Sequence, residues 1–505
     1  MEGTEVMQRS IPTPILKMKL ILVILCVIFV STIANQGRLE RKSLSDIVAA
    51  STSVKSGKVQ ISPKPVTNNG KAALKSTSAL SDNDLKGYMC ILGGFLTHMT
   101  LGTLYCWGNL GSYAPHSLKF FDGKEHIGKT PDSSLVLPLT LFAQCLSLPF
   151  GSIITGKIGS QKTMILGSSI LALGVYLSSY AKTLLQFISF YSIMVGAGIG
   201  MAYTAPMIAG WKYLPNLKGF VSGAILTGFG AGGFLYNFLG TSLANPDGLN
   251  PIKGKFPNIV YDRFPSVLRK LAVIYFLVAL AGASLVKEPP KIDTTKSVKT
   301  PVAVVSGVSV NEALHTVQFW QIWIMIIGAA SCGLNVASVY KQFASNAPAL
   351  AGDGFQSLVG GMGALFNGVG RIFWGSLSDK IGFKKSYIVL TSAQVVLHSL
   401  YSYSAVNKNL FLLATCLSFF LLAGNFALIP PATQRLFGAK NGPLIYGLVY
   451  SAFGVASVGG NYLSKFLNGK YGSDKVFMIM GLMSMVSTIL TIVLKPLKSL
   501  ASSQL

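Results

Sequence analysis

Gly375-Ser376-Leu377-Ser378-Asp379-Lys380-Ile381-Gly382-Phe383-Lys384-Lys385 stands where one long apolar run stops and the next begins. A carboxylate at a helix end, a glycine able to turn the chain and a trailing cluster of lysines make a charged hairpin between two apolar segments. Working back along the chain, Gly156-Lys157-Ile158-Gly159 matches Asp379-Lys380-Ile381-Gly382 at an offset of 223 (379 minus 156). A second set repeats at an offset of 224: Gly200, Pro206, Gly223 and Gly230 recur as Gly424, Pro430, Gly447 and Gly454. The chain therefore reads as a parallel duplication, whose halves are related by an axis along the membrane normal.

The membrane enters through composition. Half of the 505 residues are hydrophobic and 12% are charged, against about 25% for an ordinary soluble domain. Lys plus Arg at 42 minus Asp plus Glu at 17 gives +25, a balance that would suit nucleic acid. A mean hydropathy of +0.53 argues against that partner. Apolar runs of the length needed to cross ~30 Å of hydrocarbon recur instead. They lie near 87–112, 134–156, 163–181, 185–209, 219–243 and 268–286, then near 318–341, 355–377, 386–404, 409–431, 443–465 and 475–494. The expected fold is all-α and polytopic, with about twelve transmembrane helices in two six-helix halves, 87–286 and 318–494. Residues 287–317 form a polar, cytoplasmic linker between them, and 495–505 a C-terminal tail. Six cysteines without CxxC spacing predict neither disulfides nor a metal site, and no Walker, Rossmann, HExxH or GxSxG motif stands in a suitable context. An enzyme is not indicated, and no cofactor is implied.

Residues 1–86 carry a conflict. Leu20 to Ala34 is a short hydrophobic segment of signal or anchor type, preceded by Arg9, Lys17 and Lys19. The stretch after it holds Arg38, Arg41, Lys42, Lys55, Lys58, Lys64, Lys71, Lys75 and Lys86, and such a basic, Ser-rich tail is expected to stay cytosolic and disordered. Whether 20–34 spans, anchors or is cleaved stays open, as does the choice between plasma membrane and endomembrane.

The opening stretch resembles the loop motif G-x-L-x-D-R-x-G-R-R of the major facilitator superfamily, found between its second and third helices and again between its eighth and ninth. The resemblance implies gating loops at Gly156, Lys157, Gly159, Gly375, Asp379, Lys380 and Gly382. The first-half copy has lost the acid, having Thr155 and Gly156 there. Gly198-Ile199-Gly200-Met201-Ala202-Tyr203-Thr204-Ala205-Pro206, followed by Trp211 to Gly223, is similar to the fourth and fifth helices of the oxalate/formate antiporter and monocarboxylate transporter branch.

Arg371, in Asn367-Gly368-Val369-Gly370-Arg371-Ile372-Phe373-Trp374, lies inside the eighth apolar run. An arginine there is costly, by about 2.5–3.5 kcal/mol on insertion scales, and faces a partner or a watery path. None of the 17 carboxylates falls within an expected span. The missing counter-ion is read as an anionic substrate, whose carboxylate the planar guanidinium would fork. The plain alternative is an arginine that snorkels toward, or pairs with, Asp379. The resemblance favours the first reading, since both branches hold an arginine at this place on the eighth helix. It also supplies two departures. Where the antiporters have a lysine on the eleventh helix this chain has Phe453, and where the monocarboxylate transporters have an aspartate four residues before the arginine it has Asn367.

Further candidates for the substrate site are Tyr105, Trp107, Asn109, Tyr203, Asn335, Asn425, Tyr446 and Tyr450, aromatic or amide groups that could wall and orient an anion. His98 is the candidate for proton coupling. The expected protein is a secondary transporter of small monocarboxylates such as lactate, pyruvate or formate, working by alternating access with a proton or counter-anion. Its partners would be the bilayer and the organic anion, and it is expected to be a monomer. A neutral-solute or drug porter of the same fold, or a non-transporting membrane sensor, remains open at this point.

Overall fold

The structure, a computed structural model, describes residues 82–124, 132–249, 256–289, 307–345, 347–350 and 353–495. The expected signal or anchor segment, the basic tail up to residue 81, the middle of the linker and the last ten residues lie outside the described residues, while residues 82–86, expected to be disordered, form the first turn of a helix.

Twelve helical rods account for nearly all of what is described. In the first half they are α1 (Asp82–Leu101, prolonged by a 3₁₀ stretch Gly102–Cys106), α2 (Val136–Ile158), α3 (Ser160–Ser178), α4 (Leu184–Tyr213), α5 (Lys218–Ala244) and α6 (Asn258–Leu285). In the second they are α7 (Val317–Ser345), α8 (Asp353–Ile381), α9 (Phe383–Ser399), α10 (Lys408–Phe437), α11 (Gly442–Val449, continued by Ser451–Tyr471) and α12 (Ser473–Val493). Among the described residues nine of these are long and apolar enough to cross a membrane. The other three are α3, α8 and α9. Of these, α9 has only 17 residues, and α8 holds Arg371 and a run of glycines. The helices reach beyond the apolar runs: α6 starts at Asn258 rather than near 268 and carries Asp262 and Arg263 on its extra turns.

The duplication read from spacing is visible in the packing. In the first half α1 packs on α5 and α6, α2 on α4, and α3 on α6. In the second, α7 packs on α11 and α12, α8 on α10, and α9 on α12, the same pairing shifted by six helices. The turns repeat as well. Gly159 joins α2 to α3 at φ 86° and ψ 163°, and Gly382 joins α8 to α9 at φ 85° and ψ 159°. A side chain is strained at such a positive φ, so both hairpins require glycine.

The halves meet along two seams that are counterparts of each other, α5 against α8 and α11 against α2. Gly223 and Gly447, one repeat apart, make the two approaches. A Cβ on Gly223 would collide with the Arg371 carbonyl, and one on Gly447 would meet the Pro149 backbone at 2.8–2.9 Å. Small residues at a membrane helix crossing let backbones close to van der Waals contact, where hydrophobicity alone supplies no force.

Candidate functional site

Arg371 sits on α8 where that helix crosses α5, and its residue surface is 1% exposed. Its Nε donates to Asn367 Oδ1 one turn below (3.2 Å), and its Nη1 donates across the seam to the Leu226 carbonyl of α5 (3.0 Å). Asn367 is itself tied down, its Nδ2 donating to the Phe419 carbonyl of α10 at 3.0 Å. The guanidinium carbon lies 4.9 Å from the Phe426 ring centre and 5.7 Å from that of Phe229, cation–π distances on rings from both halves. Among the described residues no carboxylate pairs with it. Asp379, the alternative partner, is instead held by Arg435 Nη2 at 2.8 Å.

A cavity of about 40 Å³ opens beside Arg371, lined also by Tyr105, Tyr203, Phe229, Phe426, Tyr450 and Phe453. Phe426 and Phe453 stack at 4.6 Å with an interplanar angle of 15°. Tyr450 packs on Tyr203 (5.4 Å) and Phe453 (5.0 Å), and its hydroxyl accepts from Gln144 Nε2 of α2 at 3.0 Å, bridging the other seam. Tyr105 packs edge-on against Phe229 at 5.5 Å. The lining draws on α1, α2, α4 and α5 from one half and α7, α8, α10 and α11 from the other.

Of the residues singled out in the sequence, Arg371, Tyr105, Tyr203 and Tyr450 come together at this cavity. Tyr446 stands behind Tyr450, ring to ring at 5.7 Å. His98 lies one layer back, fully buried, 5.2 Å from Tyr203 and 6.4 Å from Phe229. Its Nδ1 donates to the Gly94 carbonyl (3.0 Å), and its Nε2 has no hydrogen-bond partner among the described residues. The remaining candidates sit elsewhere. Trp107 donates to the Ser133 carbonyl (3.0 Å) among Phe187 and Tyr191, and Asn109 donates to the Asn237 carbonyl and Thr241 Oγ1. Asn425 accepts from Tyr387 OH at 2.7 Å, and the buried Asn335 follows the lining residue Leu334 without itself lining the cavity. Phe229 and Phe426 complete the site and carry no distinguishing signal in the sequence, whereas Gln144, which bonds Tyr450, stands out there as a polar residue inside an apolar run.

Toward the linker end the seam is locked. Asp379 accepts from the backbone amides of Gly219 (2.9 Å) and Phe220 (2.7 Å), so it caps the first turn of α5 while pairing with Arg435 of α10. Gly375 lies against Gly219, and a Cβ on either would strike the other's carbonyl. Trp211 closes the α4–α5 turn by donating to the Lys218 carbonyl and Ser222 Oγ. Lys157 and Lys380 are exposed, and Gly156 has open space around it. In the first half, where the hairpin lacks an acid, Glu288 beyond α6 bonds the Ser160 amide at 2.6 Å and pairs with Lys212. Burial pushes the Glu288 carboxyl up, but the bonds from Lys212 and Ser160 outweigh it and hold the group below its ordinary value. Among the described residues no cluster of His, Cys, Asp or Glu could hold a metal.

The sequence model described as Major Facilitator Superfamily matches residues 335–504. That match spans 170 of the 505 residues (504 minus 335, plus 1) and marks a similarity to that superfamily over the second half of the chain. Apicoplast pyruvate carrier 1 of Toxoplasma gondii is 29% identical over 480 residues, covering 78% of this chain and 86% of the carrier. The oxalate:formate antiporter of Oxalobacter formigenes is 23% identical, over 69% of this chain and 79% of its own length. The crystal structure of the E. coli fucose:proton symporter FucP aligns with a TM-score of 0.58 at 15% identity, over 81% of this chain and 98% of that one, a likeness of fold. The protein is thus an integral multi-pass membrane transporter of the major facilitator fold.

Proposed function

We propose that this transporter carries small organic monocarboxylates and that Arg371 receives their carboxylate. The observation that carries the reading is a guanidinium 1% exposed, in the wall of a cavity, with no carboxylate partner among the described residues. Burying an unpaired charge costs several kcal/mol unless something offsets it. Two of the five N–H groups are spent on Asn367 and Leu226, which orient the fork and leave capacity for an anion. Arg371 is the one cation in the lining, and Phe453 stacks on Phe426 where a second could stand, so a single negative charge with a short apolar body fits best. The name of one relative, a pyruvate carrier, supports the same class, and that of the oxalate:formate antiporter supports small carboxylates more broadly.

The rings and Arg371 belong to both halves, so a bound anion would hold the halves together around itself, which is the differential contact that alternating access requires. His98 is proposed as the coupled proton site. It and Arg371 face the same Phe229 ring, so a proton on Nε2 adds positive charge that a bound carboxylate offsets, and each ligand then favours the other. The test is uptake of labelled pyruvate into proteoliposomes. Arg371→Ala is expected to lower uptake at least about tenfold, the equivalent of one charge-assisted hydrogen bond of about 1.5–3 kcal/mol. Unchanged uptake in the variant would remove Arg371 from the site.

A further inference from the structure

A second cavity lies on the opposite side of the α8–α10 pair from the transport path. It measures about 870 Å³ and runs between α8, α9 and α10, walled by Phe373, Val389, Val396, Leu400, Leu410 and Leu417. Most of these side chains are about half exposed, yet α10 is long and apolar enough to cross a membrane and α8 and α9 pack against it, so the medium against the groove is hydrocarbon. Ala393 and Ala414 give the groove its depth. Its walls extend from Val389 on α9 to Leu400 just past that helix, and from Leu410 to Leu421 on α10, eleven residue steps each. At 1.5 Å per residue that is about 16 Å, half of the ~30 Å hydrocarbon core, or one leaflet.

The groove has a polar mouth at one end only. The α9–α10 turn brings Tyr403, 71% exposed, and Ser404, 2% exposed, to its lining. The Ser404 hydroxyl has no hydrogen-bond partner among the described residues, and the exposed Lys408 follows four residues on. A tyrosine and a lysine at a helix end are the groups that settle at a membrane interface. We infer that this groove holds an acyl chain of one glycerophospholipid from the leaflet at the α9–α10 turn. The lipid's ester carbonyl accepts from the Ser404 hydroxyl and its phosphate lies beside the exposed Tyr403. The groove's inner wall includes Trp374 and Phe420, joined by a bond from Trp374 Nε1 to the Phe420 carbonyl at 3.0 Å, so the lipid braces the helix pair that holds Asn367 and Arg371.

The test uses the full-length chain, purified in detergent, stripped of lipid and titrated with phosphatidylglycerol, with palmitate in a parallel arm. Native mass spectrometry should find one tightly retained phosphatidylglycerol, accompanied by a rise in Tm, and weaker retention of palmitate. Ala393→Trp, which fills the groove, should lose the retained lipid while keeping its lipid-free Tm. Ser404→Ala should weaken retention about two- to tenfold, as expected for one neutral hydrogen bond, and serves alone if the tryptophan variant does not fold. Equal retention in wild type and both variants, or no fixed lipid number, would overturn the site. Equal retention of palmitate would overturn the roles of Ser404 and Tyr403.

Discussion

Arg371 was legible because an ionisable residue within an apolar run stands out against everything around it. The rings that complete its site were not. Phe229 and Phe426 are two of 29 phenylalanines, and a phenylalanine in a membrane helix is ordinary whether it faces lipid, a neighbour or a substrate. Trp107 and Asn109 show the opposite effect. They follow Tyr105 closely in sequence, but the 3₁₀ stretch Gly102–Cys106 changes the helical phase there, and Trp107 turns to Phe187 and Tyr191. His98 yields the prediction at this scale. The groups around its ring are Tyr203 of α4, Phe229 of α5 and, across that ring, the charge of Arg371. With proton and anion binding together, pyruvate uptake should rise as external pH falls from 7.5 to 5.5. His98→Gln should flatten that profile while retaining counterflow. A profile as steep in the variant as in wild type would assign coupling elsewhere.

Among the elements, the α5–α8 seam is where we propose the switch. Asp379 was visible from its motif, whereas Arg435, 56 residues on, had no mark beyond being basic, because the pairing depends on how α8 and α10 end side by side. The first-half hairpin had lost its acid in the sequence, and the structure finds a carboxylate there from beyond α6, Glu288 on the Ser160 amide. Spacing alone could not have supplied it, since Glu288 is 128 residues away. The two ends are unequal in what they join. Asp379 ties α8 and α10 to α5 across the halves, while Glu288 ties α3 and α4 to the start of the linker within one half. Asp379→Asn should therefore free the linker end, weakening charge-assisted bonds of about 1.5–3 kcal/mol each and raising the open population at least about tenfold. Electron–electron distance measurements between spin labels at the exposed positions Lys157 and Lys440 should show a second, longer separation in the variant. An unchanged distribution would mean that Asp379 does not hold the seam.

For the whole molecule, periodicity and repeats carried most of the fold. The glycines that recur at an offset of 224 include the very residues, Gly223 and Gly447, at which α5 meets α8 and α11 meets α2. The number of rods and their order were therefore readable, while their lengths were not, since α6 and α8 extend past their apolar runs on charged turns. Two like halves meeting at two equivalent seams, with Arg371 in the cavity wall between them, are the frame on which the proposed carriage of small anions rests. Counterflow tests this most directly. Proteoliposomes preloaded with unlabelled pyruvate, lactate or formate should accumulate labelled pyruvate transiently, while preloading with oxalate or a neutral hexose should drive at least tenfold less. Equal counterflow from the hexose, or none from any monocarboxylate, would contradict the account.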